Sequence, residues 1–175
     1  MSEVITALQK ATRAGVLSET AVHFAGLLER QDPTADPSVL LAGALAAERA
    51  LAGDVCIELA SIADGIAWEG DSDGDLVPPD LSTWQQALRR CSLVGDGGHL
   101  SPLVLTDDGK LYLYRYYALE CRLAEAIGRH ARQVSHPVDA LSLAEGLDTF
   151  FSDDPGSADQ RAAAAKAVDQ HLLVI

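Results

Sequence analysis

Asp71, Asp73 and Asp75 alternate along Asp71-Ser72-Asp73-Gly74-Asp75, an oxygen-rich run of the kind that can hold calcium. An EF-hand loop places carboxylates at positions 1, 3 and 5, glycine at 6 and glutamate at 12. Counted from Asp71, those last two places hold Leu76 and Ser82. The ligand set is incomplete, and a solvated acidic loop is expected. The histidines, His23, His99, His130, His136 and His171, show no HxH or HExxH spacing. His130 and His136 fall near the end of a predicted helix, where a cation complements the dipole. Gly95-Asp96-Gly97-Gly98 lacks the GK[ST] ending of a phosphate loop and leads into a strand pattern. Cys56, Cys91 and Cys121 lie far apart among apolar neighbours, with no CxxC pair, and are expected to be reduced core thiols. No catalytic residue and no metal site is assigned.

The remaining chemistry-bearing stretch is aromatic. LYLYRYY carries Tyr112, Tyr114, Tyr116 and Tyr117 around Arg115. Tyrosine beside arginine can stack bases. It is also what protein interfaces are made of. Read as a strand, Tyr112, Tyr114 and Tyr116 share one face, and Leu111, Leu113 and Arg115 the other. The charge balance chooses between the readings. Thirteen Lys plus Arg stand against 26 Asp plus Glu, a net charge of −13. Such a field repels phosphates. The local basic groups, Arg89 with Arg90 and then Arg122, Arg129 and Arg132, form no dense run. Core or partner contact is therefore the preferred role, and Tyr112, Tyr114, Tyr116, Arg115 and Trp84 are the partner-interface candidates.

The chain has 175 residues, 48% hydrophobic and 22% charged, which suits a globular domain with a real core. No apolar run approaches the length of a membrane span, so no membrane contact and a cytoplasmic location are expected.

These residues need elements to hold them. Apolar positions at helical spacing predict helices over residues 3–14, after Ser2, and from Ser18. A third helix over 37–51 is apolar nearly all round and should be central. Residues 54–58 read as a short strand and 59–66 as a short helix. The loop over 68–80 is rich in Gly, Asp and Pro, and residues 81–83 cap a helix over 84–91. Residues 92–94 suggest another strand. Strands over 102–106 and 110–116 flank Asp107-Asp108-Gly109, a hairpin turn signal. Helices follow over 116–133, 138–151 and 158–169, the last rich in alanine. Leu172 to Ile175 read as a buried parallel strand, a ready template for pairing with another molecule. The fold class is mainly α, of the α+β type. It comprises a helical N-terminal domain with a small hairpin, a winged-helix-like middle section over 37–117, and a closing helix and strand.

Several segments in order resemble the N-terminal domain of RecD, the alpha subunit of exodeoxyribonuclease V. They are Gly53-Asp54-Val55-Cys56-Ile57-Glu58-Leu59, Trp84 through Gly95 (WQQALRRCSLVG), Pro102 through Ala124 (PLVLTDDGKLYLYRYYALECRLA) and Asp159 through Ile175 (DQRAAAAKAVDQHLLVI). The third is the most specific. It departs from the family pattern at Lys110, where arginine is usual, and at Tyr117, where tryptophan is frequent.

The resemblance implies a partner-binding domain over 1–150 and the start of a superfamily 1 motor domain over 151–175, ending just before the Walker A loop. It implies a parent that is an ATP-dependent 5′-to-3′ DNA helicase acting in double-strand break repair and recombination. ATP and Mg²⁺ would be held beyond this chain, which itself holds no cofactor. Gln160 matches the family's adenine-recognising glutamine, whose amide has the donor and acceptor an adenine edge requires. The implied partners are RecC-like and RecB-like subunits, with DNA reached through the full complex. The competing reading is a winged-helix DNA-binding module using Arg89, Arg90 and Tyr114.

Overall fold

The computed structural model describes residues 2–63, 76–132, 138–151, 155–168, 170 and 174. The acidic loop 71–75 lies outside them, as do His136, His171 and the expected terminal strand except for Val174.

The N-terminal helices form where the apolar period and the caps agree. Helix α1, Glu3–Arg13, buries Ile5, Ala7, Leu8 and Ala11. Helix α2, Glu19–Gln31, is capped by Ser18, whose hydroxyl accepts from the Ala21 amide at 3.2 Å. The Ser2 amide donates to Glu29 at 2.7 Å, and the Ser18 amide to Glu48 at 2.7 Å. These bonds fasten α1 to α2, and α2 to α3. Helix α3, Pro37–Leu51, opens with Asp36 accepting from the Ser38 amide at 2.8 Å and with proline in the first turn. Every residue from Ser38 to Ala47 is buried, so α3 is the central helix its composition predicted.

Among the described residues four short strands form a sheet that meets α3 through β1 and β4: β1, Cys56–Glu58; β2, Val94–Gly95; β3, Leu103–Leu105; and β4, Lys110–Leu113. Their order is β1-β4-β3-β2. β4 runs antiparallel to both neighbours, pairing Leu111 with Ile57 on one side and with Leu105 on the other. β2 lies parallel to β3. The β3–β4 turn closes where the Gly109 amide donates to the Thr106 carbonyl at 3.1 Å, with Gly109 at φ +83°. Between β1 and β2 stand α4, Leu59–Ala63, and α5, Leu81–Arg90. The succession α3, β1, α4, α5, β3, β4 and the order β1-β4-β3 match the winged-helix-like section expected over 37–117; β2 is an additional strand.

Two local expectations need correction. The N-cap of α5 is Asp80, ahead of the residues expected to cap it; it accepts from the Thr83 amide at 3.1 Å and from the Ser82 hydroxyl at 2.7 Å. The second hairpin strand stops at Leu113, and helix α6, Tyr114–Ala131, begins at once. The reason is across the ladder. Tyr114 faces Pro102, which accepts from the Tyr114 amide at 3.2 Å but has no N–H to give back. Pairing ends there, and the chain turns into a helix.

Two helices follow. In α7, Ala140–Phe150, Asp139 caps by accepting from the Ser142 amide at 2.9 Å. A 3-10 turn, Pro155–Ser157, leads into α8, Ala158–Val168, and Arg161 pairs with Asp148. Packing divides the chain into Met1–Leu119 and Glu120–Ile175, a division that falls inside α6. The boundary drawn from the resemblance lies later, at 150/151. Among the described residues no helix is long and apolar enough to cross a membrane.

Candidate partner-binding surface

The hairpin and the first turn of α6 distribute the expected interface residues between core and surface. Tyr112, on β4, is only 6% exposed. Its ring meets Tyr117 edge to face, with centroids 5.5 Å apart and planes at 75°. Tyr117 in turn lies over Gly97, whose φ is +93°, and any Cβ added there would enter the Tyr117 ring. The Asp96 carboxylate accepts from the Gly98 amide at 2.9 Å, and buried Ser101 donates to the Leu103 carbonyl at 2.7 Å. The 95–101 loop is thus clamped beneath Tyr117.

Tyr114 and Tyr116 are half-buried and Arg115 is exposed. The Arg115 guanidinium stands 5.9 Å from the centre of the Tyr116 ring. The expectation that Tyr112, Tyr114 and Tyr116 share one face is corrected. Tyr112 belongs to a strand and the other two to a helix, where residues two apart point about 200° from each other.

Trp84 is a core residue, not a surface one. It is fully buried, and its indole Nε1 donates to the Ser38 carbonyl at 2.9 Å. That bond ties α5 to the first turn of α3. Of the five candidates, Arg115, Tyr116 and Tyr114 therefore reach the surface, while Tyr112 and Trp84 are buried. Gln160 lies exposed on α8.

The surface continues along α6 through apolar helix positions that were not among the interface candidates. Leu119, Leu123 and Ile127 are 46%, 61% and 45% exposed. Their i, i+4, i+8 spacing was readable, but that they stay uncovered is a structural fact.

Electrostatics around the hairpin is largely self-compensating. Arg89 faces Asp107 at 3.6 Å, Lys110 pairs with Asp108 at 2.8 Å, and Arg49 pairs with Asp54 at 2.8 Å. The hydrogen bond from Lys110 is the main reason the Asp108 carboxyl sits below its usual range, and the same bond raises Lys110. Asp80, at the α5 N-terminus, is held down to about 2 by hydrogen bonds from Thr83 first and Ser82 second. Cys56, Cys91 and Cys121 are free and half-buried, and burial raises the Cys91 thiol. Among the described residues, no group of three or more His, Cys, Asp or Glu is placed to hold a metal.

The family model for the RecBCD enzyme subunit RecD, N-terminal domain, matches residues 13–112. That span runs from the end of α1 to Tyr112 and includes the whole sheet except the last residue of β4. A RecBCD enzyme subunit RecD from Mycobacterium tuberculosis is 38% identical over 108 residues, 62% of this chain and 17% of that protein. One from Mycolicibacterium smegmatis is 31% identical over 162 residues, 93% of this chain and 26% of that protein. The chain thus spans about a quarter or less of the length of these relatives. With more than half of its residues matched by the model, the chain belongs to the family of the RecD subunit of the RecBCD enzyme, of which it is an N-terminal domain.

Proposed function

We propose that this domain docks a RecD-like subunit onto a RecC-like partner principally, and onto a RecB-like one. The observation that carries the reading is the Arg115–Tyr116 pair, Arg115 exposed and Tyr116 half-buried, set at the hairpin exit on the helix that carries exposed Leu119, Leu123 and Ile127. Arginine and tyrosine over a rigid support are the residues that dominate interface energies. The support here is the buried Tyr112–Tyr117 pair and the clamped 95–101 loop.

The parent activity that goes with this reading is an ATP-dependent 5′-to-3′ DNA helicase in double-strand break repair and recombination, in the cytoplasm. The sequence contains no GK[ST] loop, and Gln160 alone would offer an amide to an adenine edge. The phosphate and Mg²⁺ chemistry is accordingly assigned to the rest of a RecD-like subunit, with residues 151–175 as the beginning of its motor domain.

Co-expression with the RecC-like and RecB-like subunits of the same organism tests the docking. The chain should co-elute with them, and Arg115→Glu with Tyr116→Ala should weaken that co-elution. A chain that elutes alone would sink the reading. The winged-helix order of elements favours a second reading, DNA contact through α5. It predicts salt-sensitive binding to duplex ends. Arg89, its first expected contact, is already engaged by Asp107.

A further inference from the structure

Helix α6 carries a heptad pattern. With Tyr116 at position a, Leu119 falls at d, Leu123 at the next a, Ala126 at the next d and His130 at the third a. Arg115, Arg122 and Arg129 then occupy every g position along the helix, seven residues or about 10.5 Å apart. The seam is open: Leu119 and Leu123 are exposed, and so is Ile127 beside it at e. Among the described residues, Arg122 and Arg129 meet no carboxylate.

In a coiled coil the g residues face the partner's e positions when the helices are parallel and its g positions when they are antiparallel. A second copy of α6 fits neither way. Antiparallel, arginine would meet arginine. Parallel, Arg115 would meet Glu120 but Arg122 would meet Ile127. The charge row therefore selects against self-pairing and for a helix of opposite sign.

We infer that α6 is a docking helix for an amphipathic helix of a partner protein, one with an apolar seam flanked by acidic residues that meet Arg115, Arg122 and Arg129. The inference rests on the docking function proposed above and names the chemistry of the partner segment. It also separates two kinds of charge in the molecule. The bulk acidity keeps nucleic acid away, and the arginine row admits one class of protein helix.

The probes are two synthetic helices of about three heptads, with leucine at a and d in both. One carries glutamate at e and g, the other lysine. Each is titrated into the complete 175-residue chain and followed by fluorescence anisotropy. The acidic peptide should bind about tenfold more tightly than the basic one, the scale of a few favourable pairs against a few unfavourable ones. The preference should weaken as salt rises, although the chain as a whole would repel that peptide. The double variant Arg122→Glu, Arg129→Glu should reverse the preference. Leu123→Asp should abolish both bindings, with circular dichroism confirming that the helices persist.

Equal binding of the two peptides, or a preference that the double variant leaves unchanged, would overturn the inference. Displacement of the acidic peptide by duplex DNA would do so too, because the row would then serve phosphates. A dimer dissolved by Leu123→Asp would show self-pairing, with the same consequence. Co-elution of the double variant with the partner subunits at full strength would discard the α6 assignment and leave the docking function standing. Failure of the unsubstituted chain to co-elute would discard that function, while the peptide titration judges α6 by itself.

Discussion

The Met1–Leu119 unit and the Glu120–Ile175 unit hold their apolar residues in opposite ways. In the first, α3 buries ten consecutive residues, with α1, α2, α5 and the sheet supplying neighbours. In the second, no described residue of α7 or α8 is buried, and Leu141 and Phe150 are 75% and 82% exposed. Both contain good helical sequence. The difference teaches that a periodic apolar face states what a helix has to bury, whereas burial depends on what else packs there. The first unit is held by tertiary packing. The helices of the second rest on two local terms, the Asp139 cap and the alanine content of α8, and on the Arg161–Asp148 pair between α8 and α7.

The largest expected effect lies in the packed unit. Trp84→Ala should destabilise it by about 3–5 kcal/mol in urea denaturation, through the cavity and the lost indole hydrogen bond to the Ser38 carbonyl. A loss under about 1 kcal/mol would mean that α5 is not integral to the core. Next comes Gly97→Ala. It forces an L side chain to φ +93° and into Tyr117, so a loss of about 1–3 kcal/mol is expected from the same measurement. An unchanged midpoint would show that the 95–101 clamp does not bind the unit together.

A smaller effect concerns acid. The Asp80 carboxyl is lowered from 3.8 to about 2 in the folded chain. A lowered carboxylate adds stability above its unfolded value, and that stability is lost as pH falls through the folded value. Stability should therefore drop from about pH 4 toward pH 2, and Asp80→Asn should flatten part of that slope. Equal slopes in the two proteins would remove Asp80 as the cause.

The smallest effect is expected in the other unit. Leu141→Ser and Phe150→Ser should each stay within about 0.5 kcal/mol of the parent chain, because neither side chain leaves a packed environment. Amide exchange sharpens the contrast: α3, β3 and β4 should exchange through global unfolding, and α7 and α8 through local opening. Slow exchange in α7 matching that of α3 would erase the distinction between the units.

Helices α1 to α3 were legible in the sequence because several signals agreed there. Ser18 precedes the second apolar period, Pro37 stands in the first turn of the third helix, and the apolar content of α3 marks it as central. The hairpin was legible for a similar reason, since Asp107-Asp108-Gly109 requires a turn and Gly109 supplies its positive φ. The end of β4 was not. Tyr114, Tyr116 and Tyr117 have strand preferences, and what stopped the strand was Pro102 on the opposite side of the ladder, a partner that no local window includes. Trp84 failed in the same way. Its helix was readable, but its inward direction depends on a carbonyl 46 residues away.

By itself the sequence determined the types of the elements, the ordered segments that mark a RecD N-terminal domain, and the acidic balance that disfavours nucleic acid. Those follow from local periodicity, turn chemistry and summed charge. Only the tertiary structure decided which aromatic residues are scaffold and which are surface, and that the seam of α6 is left open beside its arginines. Burial and charge pairing are settled between residues distant in the chain, and no local pattern records them.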